Sequence, residues 1–174
     1  GQTHSEVIEI KLSSAVHLSE PGMLAEMLEG SGKYALKTFT IAGKLNGTDI
    51  RLLRDLLGRD MSGMPTPGKL EKLDLFDAVI LEGGLNYMDS RYTESNTLSY
   101  GMFKDCVTLK ELILPFTLQV IDQSALEGCT SLISLQIPAS VTSFTPSSGC
   151  TALREISISP QNKNFSSVDG VLYN

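Results

Sequence analysis

The chain has 174 residues, 41% of them hydrophobic, with 14 basic and 20 acidic side chains and a net charge of −6. That balance argues against a nucleic-acid partner, which needs clustered Lys and Arg, and the lack of tryptophan, with only five Tyr and six Phe, argues against a base-stacking platform. No apolar run approaches the ~20 residues of a membrane-spanning helix, and three cysteines are an odd number for a closed disulfide framework.

The first stretch, 1–32, reads as a strand-helix cap. "EVIEIKL" places Val7, Ile8, Ile10 and Leu12 as a strand would, and Ser19 then starts a short helix through Met23, Leu24, Met27 and Leu28, stopped by Gly30 or Gly32. Residues 33–97 read as irregular leucine-rich coils with insertions. Leu36, Phe39 and Ile41 form a first L-x-x-L-x-L rung in "LKTFTI". Thr48 caps a second helix with Ile50, Leu53, Leu56 and Leu57 on one face and Gly58 at its end. "GRDMSGMPTPG" is a Gly- and Pro-rich loop, after which Leu70, Leu73 and Leu75 form a second rung. "EGGLNYMDSRYTESNT" (82–97) reads as a long polar loop, and a loop of that length inside a compact fold is functional or mobile. Its Tyr87, Arg91 and Tyr92 are the side chains best suited to anchor a partner.

From 98 to 174 the chain becomes regular. Cys106, Cys129 and Cys150 recur at intervals of 23 and 21 residues. Each is followed by a leucine at plus three (Leu109, Leu132, Leu153) and an apolar pair at plus six and plus eight: Leu112 and Leu114, Leu135 and Ile137, Ile156 and Ile158. Leu118 and Ile121 match Val141 and Phe144 in the next unit. Repetition at this density identifies stacked coils. With the two upstream rungs the chain reads as five coils, the last three regular. Within each rung, alternation sends Leu135 and Ile137 inward and Ser134 and Gln136 outward. Pro115 and Pro138 sit at strand ends, where a missing N–H breaks the fewest ladder bonds. "TLQVI" and "SVTSF" read as short extended return arms, "SYGMFKDC" and "QSALEGC" as helical turns, and Asp169-Gly170 as the turn of a C-terminal hairpin.

This repeat logic decides the reading of the cysteines. One thiol per coil at the same point of each turn is a row of small buried hydrophobes, with a disulfide between neighbouring rungs as the alternative. A metal site would need paired C-x-x-C spacing and a fourth ligand, and the cysteine spacing supplies neither. His4 and His17 lie in the N-terminal segment without a Ser, Cys or carboxylate partner at a recognisable spacing. No G-x-S-x-G, P-loop or H-E-x-x-H motif is present. No catalytic residue, metal ligand or cofactor is therefore expected.

The phrases "GCTSL…L.IP.SVTSF" and "SSVDGVLYN" closely resemble BspA-type leucine-rich-repeat proteins, which occur in many copies on the surface of anaerobic gut and oral bacteria. The resemblance covers roughly 98–174, and 33–81 is similar to the irregular N-terminal coils some of these proteins carry. The chain departs from the family phrase in having "AL" at 125–126 for "AF", and in dropping two residues before Cys150 in "FTPSSGC". The resemblance implies an exported protein at the cell surface or outer membrane of a bacterium, with any lipid anchor lost with the leader that would precede Gly1. It implies adhesion or recognition of a protein or glycan, and no catalysis. The fold expected is an α/β leucine-rich-repeat solenoid of short parallel strands, with an irregular helix-containing N-terminal cap and a C-terminal hairpin.

Two surfaces could carry recognition. One is the 82–97 loop. The other is the strip that alternates with the core leucines: Thr38 and Thr40, Lys72 and Asp74, Glu111 and Ile113, Ser134 and Gln136, Glu155 and Ser157. The expected function is a non-enzymatic cell-surface binding or adhesion module. The alternative is a structural stalk or assembly scaffold within a larger surface protein.

Overall fold

The computed structural model describes residues 14–29, 32–168 and 171–173. The strand expected at 7–12, His4, the Gly30 stop and the Asp169-Gly170 turn lie outside them. In chain order the elements are β1 (Ala15–Leu18), the one-turn helix α1 (Leu24–Met27), β2 (Thr38–Leu45), α2 (Gly47–Leu56), β3 (Lys72–Asp74), β4 (Ala78–Ile80), β5 (Gly83–Met88) and β6 (Arg91–Thr93). Strands alone follow: β7 (Thr97–Leu98), β8 (Glu111–Ile113), β9 (Val120–Ile121), β10 (Ser134–Ile137), β11 (Ser143–Phe144), β12 (Glu155–Ile158), β13 (Ser166–Val168) and β14 (Val171–Tyr173).

The coils stack into a parallel ladder in the order β1-β2-β3-β8-β10-β12, with β4 also on β2. Phe39 stands opposite Leu73, Leu73 opposite Leu112, Leu112 opposite Leu135 and Leu135 opposite Ile156. The five L-x-x-L-x-L segments are thus the rungs, in one register. Phe39, Leu73, Leu112 and Leu135 are buried, as are Ile41, Leu75, Leu114 and Ile137, the second apolar residues of the same rungs. Fully burying each such side chain contributes about 1.5–3 kcal/mol, so a strand of three or four residues persists only because its neighbours cover it. The return arms form a second parallel sheet, β11-β9-β7, whose Ile121 and Leu98 are in the same core. This is an α/β leucine-rich-repeat solenoid. β13 and β14 pair antiparallel with Val168 opposite Val171, as the expected hairpin requires.

The return turns differ from expectation. "SYGMFKDC" and "QSALEGC" were expected to be helical turns, but they are chains of tight turns without helix. Gly101, Asp105, Ser124 and Gly128 all have positive φ, between 58° and 72°, which no right-handed helix accepts. Their amides are spent between coils: Phe103 N–H donates to Ala125 O at 2.8 Å and Asp105 N–H to Glu127 O at 2.7 Å. Inter-coil bonding of this kind replaces the i to i−4 ladder of a helix.

The helix starts also shift. Ser19 does not cap α1; the Asp49 carboxylate reaches across from α2 and accepts the Gly22 and Leu24 amides at 2.6 and 3.0 Å. Asn46, not Thr48, caps α2, accepting from the Thr48 amide while Asp49 accepts from the Asn46 amide at 3.0 Å. The Thr48 hydroxyl instead accepts the Leu85 amide at 3.0 Å, which docks β5 on α2. Gly47 makes that docking possible, since a Cβ there would lie 2.0 Å from Leu85 O.

Candidate functional site

The 82–97 segment is built as an antiparallel hairpin of β5 and β6, packed on α2. This corrects the reading of it as a long loop. Asp89, between the strands, takes the positive φ (46°) that a tight connection needs. Tyr87, expected as a partner anchor, is a core side chain with no exposed surface, and its hydroxyl donates to Tyr100 O at 2.7 Å. Burial pushes that hydroxyl up to about 12. Arg91 and Tyr92 do lie on the surface, but the Arg91 guanidinium rests 4.5 Å from the centroid of the Tyr100 ring. Two of the three expected loop side chains, Tyr87 and Arg91, are therefore committed to contacts within the fold.

The outward strip is assembled as alternation predicts. Thr38, Lys72, Glu111, Ser134 and Glu155 form one row across the ladder, each in register with the next. In the second row Thr40 is in register with Asp74, Asp74 with Ile113, and Gln136 with Ser157. The lysines on this face are paired with carboxylates. Lys72 Nζ lies 2.7 Å from Glu111 Oε1. One position before the strands begin, Glu71 accepts from Lys110 at 2.8 Å and from Lys37 at 2.7 Å. These two lysines hold its carboxyl well below the usual carboxylate range, at about 2, with Lys110 contributing most. Like-sign neighbours are avoided, and each exposed pair contributes little to stability.

Beyond these pairs the face turns apolar. At the far end of the rungs an open groove of about 340 Å³ is lined by Phe76, Leu112, Ile113, Leu114, Phe116, Gln136, Pro138, Ala139, Ser159 and Gln161. Phe76 and Phe116 are 53% and 52% exposed, and their ring centroids are 5.7 Å apart with planes tilted by 41°. Backbone bonding fixes the pair: Phe116 N–H donates to Phe76 O at 3.1 Å, and the Ser140 hydroxyl lies 2.7 Å from Phe116 O. Of the expected contact residues, Ile113 and Gln136 line the groove, and Asp74 stands beside Ile113. The phenylalanines were missed. Their sequence signal is positional: Phe76 directly follows the last core leucine of its rung, and Phe116 follows the proline that ends the next.

The cysteines sit where the repeat puts them. All three are free; Cys106 and Cys129 are buried and Cys150 is half-buried. Burial pushes the Cys106 thiol up to about 12 and raises the other two as well. Among the described residues no group of three or more His, Cys, Asp or Glu side chains could hold a metal ion, and no helix is long and apolar enough to cross a membrane. His17 is an exposed residue of β1.

Comparison with known proteins adds one match. Residues 90–168 fit the family model described as the BspA type leucine rich repeat region, in six copies. The matched span runs from β6 through the last residue of β13, and so contains the regular coils. No curated protein matches the chain.

Proposed function

Over residues 90–168 the chain belongs to the BspA-type leucine-rich-repeat family, and on that premise we propose that it is a non-enzymatic binding module of a cell surface, which holds a protein partner at the Phe76–Phe116 groove. One observation carries the reading. On a face whose lysines are paired with carboxylates, two half-exposed aromatic rings and Ile113 remain together with no covering element among the described residues. A contiguous apolar patch rimmed by polar residues is how interaction sites differ from ordinary surface, and aromatic anchors in a groove are the commonest energetic centres of interfaces. Adhesion follows if the partner is itself anchored to a neighbouring cell or matrix.

The test is a comparison of the wild-type chain with a Phe76→Ser/Phe116→Ser variant, both immobilised and exposed to solubilised surface and matrix proteins. The expected result is a protein retained by the wild type and lost with the variant, while the unfolding midpoints agree. Equal retention by the two would remove the groove as the contact surface. Surface localisation is checked separately, by labelling of intact source cells with a membrane-impermeant amine reagent; a chain left unlabelled until lysis would contradict it.

A further inference from the structure

The groove is electrically lopsided. Lysines near the ladder are engaged elsewhere: Lys37 and Lys110 on Glu71, Lys72 on Glu111, and Lys44 on Glu20. Asp74 is engaged only in part. One carboxylate oxygen accepts the Phe76 amide at 3.0 Å, and the other has no hydrogen bond or ion pair among the described residues. That amide bond turns the carboxylate toward the Phe76 end of the strand. Asp77, exposed on the turn just beyond Phe76, also has no ion pair among the described residues. Two carboxylates without an ion pair among the described residues thus stand next to groove-lining residues, Asp74 opposite Ile113 and bonded to the Phe76 amide, Asp77 directly after Phe76, on a chain whose net charge is already −6.

This combination selects a particular chemistry. Carboxylates and the negative faces of aromatic rings both attract a cation and repel an anion. The ring surfaces and Ile113 meanwhile ask for apolar area. A lysine or arginine side chain offers both, an apolar stem and a charged head. A purely aliphatic occupant would leave Asp74 desolvated without a partner, which is unfavourable.

Building on the protein-binding reading above, we propose that the groove is a seat for a lysine or arginine side chain of an extended protein segment. The stem lies against Phe76 and Phe116, and the charge sits at Asp74. The apolar neighbour of that basic residue packs on Ile113.

Short random peptides displayed on phage are the probe. They are selected on the wild-type chain and counter-selected on the Phe76→Ser/Phe116→Ser variant. The expected peptides share a lysine or arginine beside an apolar residue. A synthetic copy of the best binder should bind Asp74→Asn about tenfold more weakly, the loss of one charge-assisted contact. Asparagine keeps an oxygen for the Phe76 amide, so the turn survives, and an unchanged unfolding midpoint verifies this. Replacing the peptide's basic residue with norleucine, which keeps the stem, should cause a similar loss on the wild type and little further loss on Asp74→Asn. Groove-dependent peptides without a basic residue, or equal binding to wild type and Asp74→Asn, would overturn the cation seat and leave the groove reading standing. If no selected peptide depended on the phenylalanine pair, both would fall.

Discussion

The Cys129 thiol donates to the carbonyl of Phe103 at 3.2 Å, reaching from one coil to the coil before it. Cys150 repeats the contact one rung on, with Leu126 O at 3.2 Å. The recurring cysteine in the sequence thus marks a weak inter-coil hydrogen bond set inside the stack, and burial keeps its thiol unreactive. A thiolate is the reactive form, and burial disfavours it. At mildly alkaline pH a thiol reagent should modify Cys150 first, because it is only half-buried. Cys106 and Cys129 should react only as fast as the chain opens, and all three at once in denaturant. Rapid labelling of Cys129 in the native protein, located by mass spectrometry, would rule out the buried row.

Glu71 gives a pH dependence with a definite sign. Lys110 and Lys37 lower its carboxyl from 4.5 to about 2. The folded state therefore binds this proton more weakly than the unfolded state does. Its contribution to stability is complete above about 4.5 and is lost as pH falls toward about 2. The carboxylate is accessible to solvent, so the contribution is small and is screened by salt. Carboxyl NMR titration should place the Glu71 midpoint well below the usual carboxylate range at low ionic strength, and move it upward in concentrated salt. A midpoint in the ordinary carboxylate range at low salt would show that the lysines do not hold it.

Arg54 poses the opposite problem, a cation in the core. It is 1% exposed, and its guanidinium donates to the carbonyls of Gly101, Met102 and Lys104 at 3.1–3.3 Å and of Asp60 at 3.3 Å. It ties α2 to the turn that begins the regular coils. Arg54→Ala would take the guanidinium donor from the Met102 and Lys104 carbonyls, leave the Gly101 and Asp60 carbonyls only the Lys104 and Gly63 amides, and open a cavity, at a cost of about 3 kcal/mol or more. Arg54→Lys should recover only part of this, because a single ammonium cannot reproduce the planar fork. Urea unfolding curves for the two variants check both statements; a lysine variant as stable as wild type would contradict the fork.

Much of the ladder was legible because repetition averages out local ambiguity. Leu73, Leu112 and Leu135 each sit in an unremarkable apolar run, yet their common spacing fixes which side chains face inward. The hairpin 83–93 occurs once and has no such support. Tyr87 lies in a polar, Gly-rich context, and its burial depends on Tyr100 and on α2, neither of which local pattern could supply. The groove was half legible. Ile113 and Gln136 followed from alternation, whereas Phe76 and Phe116 lie past the strand ends, where alternation says nothing. The cap of α2 was misplaced by two residues because Asn46 stands before Gly47 in what reads as a turn, while its partner in the capping box is Asp49 instead of the usual Glu.

Asp49 carries a fourth prediction, since one carboxylate serves two helix starts. It is 1% exposed and accepts the amides of Gly22, Leu24 and Asn46 at 2.6–3.0 Å. Asparagine has a single acceptor oxygen, and its amide group would face N–H donors. Asp49→Asn should therefore cost about 1.5–3 kcal/mol, the range for hydrogen bonds to a charged group. The loss should be uneven. α1 is one turn long and has no side-chain cap of its own, so it depends on Asp49. α2 retains the Asn46 cap on Thr48 and the buried face of Ile50, Leu53 and Leu56. Hydrogen exchange on Asp49→Asn should show the Gly22 and Leu24 amides exchanging far faster than in wild type, while the Leu53 amide slows or quickens only with global stability. Uniform acceleration across both helices would mean that the carboxylate supports the whole N-terminal region at once.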